Sequence, residues 1–296
     1  MSRCLLFLWM WVLFGSCLHG GTLVVFHTVR GDIEVELFDQ EKPITVDNFI
    51  RYAERVYSTN QVIFHRLLPG FVLQGGGYSI TNRASTNFFE NFSSVFRFPS
   101  IRNEFAVGPL RSNVLGTIAM AKRGNDPNSA NAEWFFNLGD NSANLDKQNG
   151  GFTVFGQVVG GLEVLLSFNK LFKRVDAVSC LFRGVADLSC YREDIFGDLF
   201  SDLPVTYTLT RYPRCHELFV VEISVMRLRV YATVSGARSL IWRTVKGRQN
   251  LVEYSDLLPP VWRPLETVNG DGAEQTVVDS EGTLGTRLYR VRVAYP

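Results

Sequence analysis

The chain has 296 residues, enough for one large domain or two ordinary ones. At 46% hydrophobic and 20% charged residues it is globular rather than disordered. A formal net charge of +1, without any Lys/Arg block, excludes a charge-driven nucleic-acid function.

The N-terminus reads as a secretory signal over residues 1–20. Arg3 precedes the apolar run Cys4 to Gly15, which is far shorter than the roughly 20 residues a membrane helix requires. Small residues at Gly15, Ser16, Gly20 and Gly21 place cleavage near Gly20. An uncleaved anchor is the alternative. Phe14-Gly15-Ser16-Cys17 loosely resembles a bacterial lipoprotein box, but a lipid on Cys17 would leave a tether of only ~18 Å before the first strand. The favoured reading is therefore an exported protein, periplasmic or extracellular, monomeric and with no integral membrane segment once the signal is removed.

Leu23 to Thr28 and Asp32 to Phe38 alternate as two strands around Arg30-Gly31. Pro43 to Val56 has helical rhythm, with Val46, Phe49, Ile50 and Ala53 on one face and Pro43 in the first turn. Next comes a hairpin, Phe64-His65-Arg66-Leu67-Leu68-Pro69-Gly70-Phe71-Val72-Leu73-Gln74, ending in Gly75-Gly76-Gly77. Thr81 to Gly108 reads as a long surface loop, with the sequon Asn91-Phe92-Ser93. Gly116–Ala121, Trp134–Leu138 and Thr153–Val159 read as strands, and Leu162–Leu171 as a helix. Many strands and few helices, without βαβ alternation, point to a closed antiparallel barrel.

Residues 172–215 form an insertion of no clear pattern, after which Leu218 to Val225 is a strand placed to close on the first one. This main domain spans 21–226. Residues 227–296 change texture to short strands and turn clusters, indicating a small β-sandwich-like module. There Asp271 and Asp279 read as solvated turn residues. After signal removal Cys180, Cys190 and Cys215 remain, and Cys180 with Cys190 closes the shortest loop. With neither CxxC nor a His/Cys cluster, no metal and no cofactor are expected.

Arg66 is a cation among large apolar residues. Spacing alone leaves two readings open, an arginine snorkelling from a barrel wall or a cation placed for chemistry. If Leu67 to Gly70 form the turn, strict alternation sends Gln74 to the opposite face from Phe71, so a shared pocket needs a bulge near the glycines.

Phe-His-Arg, Pro-Gly-Phe and Gln-Gly-Gly within this hairpin resemble the signature of the cyclophilins, the peptidyl-prolyl cis–trans isomerases. The resemblance recurs in order over roughly residues 22–170. It includes Gly31-Asp32-Ile33-Glu34-Val35-Glu36-Leu37-Phe38, Pro43-Ile44-Thr45-Val46-Asp47-Asn48-Phe49, Gly116-Thr117-Ile118-Ala119-Met120-Ala121, Glu133-Trp134-Phe135-Phe136 and Val154-Phe155-Gly156. It implies an eight-stranded barrel with flanking helices that acts on proline-containing polypeptides. Arg66 would be the catalytic arginine and Gln74 its orienting partner. Phe71, Val72, Phe135 and Leu145 would line the proline pocket. Ala121, the adjoining Lys122, Glu133 and Phe152 would bind the rest of the peptide, and His65 is either a ligand contact or a packed strand histidine.

This sequence departs from the family pattern at Val72 (usually Met), Glu133 (Gln), Asn144 (Trp in many members) and Phe152 (His). Asn-Leu-Asp and Asn-Gly-Gly-Phe resemble the bacterial branch. The rival to an isomerase is a catalytically weak module that binds proline-containing segments. A hydrolase using His65 and Glu133 lacks a nucleophile in an elbow-like context.

Overall fold

In this computed structural model the residues described are 22–171, 182–186, 200–209, 213–226, 228–233, 236–244, 249–257, 261–271, 273–282 and 287–294. The segment expected to be a signal, residues 1–20, and Cys180 and Cys190 lie outside them. The chain divides into two compact units, one of Gly21–Arg227 and one that holds Leu228–Pro296.

The first unit contains β1 (Leu23–Thr28), β2 (Gly31–Leu37), β3 (Gln61–Leu68), β4 (Val72–Ile80), β5 (Phe92–Ser94), β6 (Thr117–Met120), β7 (Trp134–Asn137) and β8 (Val154–Gly160). It continues with β9 (Phe182–Ala186), β10 (Leu203–Leu209) and β11 (Val220–Met226). One nine-stranded sheet runs β3-β11-β1-β2-β8-β6-β7-β4-β5, and β4 also pairs with β3. That pairing closes an eight-stranded antiparallel barrel and leaves β5 outside on β4. As the sequence suggested, β11 pairs antiparallel with β1, Leu23 opposite Met226.

The barrel is filled by inward residues: Val24 and Phe26 from β1, Ile33, Val35 and Leu37 from β2, Val62, Phe64 and Leu67 from β3. Trp134 is fully buried at the centre, with Phe26, Phe64 and Phe136 at ring distances of 5.0, 5.7 and 5.8 Å. The helix Pro43–Arg55 packs Val46, Phe49, Ile50 and Ala53 onto this core, the face its periodicity indicated. Its first turn is satisfied from afar: the Ile44 and Thr45 amides donate to the Glu104 carboxylate at 3.2 and 2.7 Å.

Glu104 is itself buried, as are Val95 and Lys42. The Lys42 ammonium donates to the carbonyls of Glu104, Phe105, Val107 and Pro109. Thr81 to Gly108 is therefore not a plain surface loop. It contributes β5 and ties itself to the helix start through a buried cation that its own carbonyls surround.

Within residues 172–215, read from sequence as an insertion, β9 pairs antiparallel with β10. Phe200, Leu203 and Val205 have 0% exposure and pack with Ile63, Ile80, Leu218 and Val220 on the outer face of the barrel. The Leu67 amide donates to the Asp202 carbonyl at 2.7 Å, joining this ribbon to β3. Cys215 is a buried free thiol whose pKa burial raises.

The second unit has β12 (Arg229–Ala232), β13 (Arg238–Arg243), β14 (Gln249–Ser255), β15 (Arg263–Asn269), β16 (Glu274–Asp279) and β17 (Leu288–Ala294). They form two three-stranded antiparallel sheets, β12-β13-β16 and β15-β14-β17. Asp271 does cap a turn, accepting from the Ala273 amide at 2.8 Å. Asp279 is not a solvated turn residue: it is 2% exposed and accepts from Arg287, just before β17, and from Tyr289 of β17 in the other sheet. Its burial comes from these partners, which lie outside its own strand. Among the described helices, none is long and apolar enough to cross a membrane.

Candidate active site

Two irregularities in the β3–β4 ladder build the site. Phe64 pairs with Gly75 and Arg66 with Gln74, so β3 advances two residues while β4 advances one. This bulge breaks alternation: Phe64 and Leu67 point into the barrel, whereas both His65 and Arg66 line the outer cavity. A second shift between Val62↔Ser79 and Phe64↔Gly75 inserts extra residues into β4. Gly76 sits there at φ +85°, and a Cβ on Gly77 would lie 2.8 Å from the Glu133 carboxyl carbon. The glycines thus let β4 pass close against β7 and the residue before it.

Phe71 lies in the turn, its amide donating to the Leu68 carbonyl at 2.9 Å, and not in the ladder. That placement resolves the expected conflict of faces, because Phe71 reaches the cavity from the turn while Val72 and Gln74 reach it from β4. The Phe71 carbonyl is pinned by the Leu138 amide and the Asn141 side chain, both at 2.8 Å.

The resulting cavity, about 550 Å³, is lined by every residue the sequence nominated: Arg66, Gln74, His65, Phe71, Val72, Ala121, Lys122, Glu133, Phe135, Leu145 and Phe152. Asn144 also lines it, together with Tyr78 and Gln148, which sequence reasoning missed. One side is apolar. Val72, Phe135 and Leu145 are buried, Phe71 and Phe152 pack against them, and the Phe135 and Phe152 rings meet edge-on at 5.8 Å.

The other side is organised by Glu133. Gln74 Nε2 donates to its Oε2 and Arg97 Nη2 to its Oε1, both at 2.7 Å. His65 Nε2 stands 3.5 Å from the same Oε2. Burial alone would push the Glu133 carboxyl up, but the bonds and charges of His65 and Arg97 outweigh it and hold the group at about 2. Arg97 came from the loop whose sequence carried no signal of a role here.

Gln74 Nε2 is committed to Glu133, the residue that stands where the family has a neutral glutamine, which leaves Oε1 as the Gln74 acceptor. Arg66 has its Nε 3.9 Å from Asp202 Oδ2, and its side chain is 42% exposed.

Lys122 turns away from Arg66. Its ammonium donates to the Asn149 and Gly151 carbonyls at 2.8 and 2.6 Å and lies 4.7 Å over the Phe152 ring. Burial lowers its pKa to about 8. Lys122 is thus expected to acylate ahead of the exposed Lys147 and Lys170 when full-length protein meets limiting amine-directed reagent at pH 8. Peptide mass mapping checks this, and uniform labelling of the three would contradict it.

The family model for cyclophilin type peptidyl-prolyl cis-trans isomerase/CLD matches residues 23–179. A peptidyl-prolyl cis-trans isomerase of Acinetobacter baylyi is 37% identical over 145 residues, which cover 49% of this chain and 70% of that protein. Peptidyl-prolyl cis-trans isomerase A of Dickeya dadantii is 41% identical over 146 residues, 48% of this chain and 68% of its own. A crystal structure of a Cryptosporidium parvum cyclophilin type isomerase matches at 18% identity with a TM-score of 0.43, covering 69% of this chain and 96% of that one.

Proposed function

Since the chain belongs to the cyclophilin-type peptidyl-prolyl cis–trans isomerases, and is an isomerase enzyme by that homology, we propose that Arg66 is its acting group and exported polypeptides its substrates. The X–Pro bond rotates over a barrier of roughly 20 kcal/mol because its C–N bond has partial double-bond character. A donor aimed at the prolyl nitrogen localises the lone pair there and weakens that character. A dry pocket favours the twisted, less polar amide in the same direction. No nucleophile and no bond-breaking step is required.

The observation that carries the reading is the sharing of one cavity by a half-exposed guanidinium and an apolar floor. The proline ring would rest on Phe71, Val72, Phe135 and Leu145. Arg66, always charged and carrying a fork of donors, would face the amide nitrogen. Supporting export is the N-terminal Arg3 and its apolar run.

Uncatalysed isomerisation takes tens of seconds or more, so catalysis is read directly by exchange NMR on an X–Pro peptide with full-length protein. Acceleration is expected; a rate at background would sink the activity. For export, a mature N-terminus near Gly21 in the secreted or periplasmic fraction is expected, and an intact Met1 start confined to cytosol would overturn it.

A further inference from the structure

We infer that Asp202, from the segment after the family-like core, is a positioning residue for Arg66. The inference rests on the reading of Arg66 as the acting group. It starts from the bulge, which sends Arg66 outward but leaves its neighbour Leu67 in the barrel core. Leu67 lies beyond the reach of β11, which pairs with β3 only at Val62 and Ile63. Its amide is taken by the Asp202 carbonyl at 2.7 Å. The residue following the guanidinium is thus bonded to the backbone of the residue that bears the carboxylate.

Asp202 is held on both sides. Phe200 and Leu203 are fully buried against the barrel, and Phe200 stacks edge-on with Tyr78 at 5.5 Å and with Phe92 at 4.9 Å. Ser201 Oγ donates to Asp202 Oδ2 at 3.1 Å. That same oxygen is 3.9 Å from Arg66 Nε, and the carboxylate side chain is only 17% exposed. A charge so placed attracts the guanidinium at its Nε edge, beside the cavity that Arg66 lines. A long arginine side chain otherwise samples many rotamers, and ordering it before substrate arrives raises the fraction of encounters with a donor in place.

The test uses the full chain and X–Pro peptide exchange. Asp202→Asn is expected to lower kcat about 5- to 10-fold with KM within about twofold, ten-fold being about 1.4 kcal/mol on the barrier. Asp202→Glu should recover most of the loss, and Asp202→Asn in an Arg66→Ala background should add none. The Arg66 Nε–H resonance, assigned by its absence in Arg66→Ala, should exchange faster with solvent in Asp202→Asn. This reading does not depend on activity.

Unchanged kcat and unchanged Nε–H exchange in Asp202→Asn, with Arg66→Ala slow, would overturn the positioning role and leave the Arg66 reading intact. Wild-type rates in Arg66→Ala would overturn both. A further loss from Asp202→Asn on top of Arg66→Ala would make Asp202 a purely structural residue and overturn the proposal.

Discussion

Arg66→Ala is expected to lower kcat/KM for X–Pro isomerisation by about 100- to 1000-fold, the loss typical of removing one preorganised donor from a transition state. That corresponds to roughly 3–4 kcal/mol on the barrier. The floor of Phe71, Val72, Phe135 and Leu145 would remain, so KM should move much less than kcat. Stability should hardly change, because the side chain is 42% exposed and its ion pair with Asp202 is long at 3.9 Å. Arg66→Lys should recover little, since an ammonium lacks the planar fork and the Nε edge that faces Asp202. Exchange NMR with thermal melting as the folding check decides the matter. Equal rates for wild type and Arg66→Ala would sink the mechanism.

Why the barrel was readable and parts of the site were not follows from the range of the interactions. The helix Pro43–Arg55 buries one periodic face and β1 and β7 are continuous apolar runs, both local signals, so Val24, Phe26, Val46, Phe49 and Trp134 announce themselves. The cavity residues carried a second local signal, the ordered motifs that resemble the family. What failed was strict alternation. A bulge at His65 and Arg66 turns two consecutive side chains to one face, and the consecutive polar pair between Phe64 and Leu67 is its one local trace.

The partners of charged groups were the least visible. Arg97 reaches Glu133 across 36 positions, and Asp202 reaches Arg66 across far more, from a ribbon with no readable periodicity. The resemblance assigned Gln74 to Arg66 by analogy; the geometry adds that its amide nitrogen donates to Glu133. The departure at Glu133 was visible in the sequence; its consequence for Gln74 required the geometry.

Glu133 should also dominate the acid stability of this unit. Its carboxyl is held at about 2 against an ordinary value of 4.5, so the folded state binds its proton more weakly than the unfolded state does. A depressed folded value contributes stability that is fully present above about 4.5 and is lost as pH falls toward about 2. At about 1.36 kcal/mol per tenfold change in proton affinity, the contribution is on the order of 3 kcal/mol. Glu133→Gln removes it while keeping shape, and leaves Arg97 facing a neutral amide.

The expected outcome is a variant about 2–3 kcal/mol less stable than wild type at pH 7, the gap closing as pH falls toward 2. Urea midpoints at pH 7, 4 and 2.5 read the gap directly, and parallel curves would refute the role. The same substitution should leave kcat within about threefold, an effect under roughly 1 kcal/mol, because Glu133 touches Gln74, Arg97 and His65 and not Arg66. Stability is therefore expected to follow the Glu133–Arg97 pair and turnover the Arg66–Asp202 pair, and exchanging the two phenotypes between the variants would contradict that division.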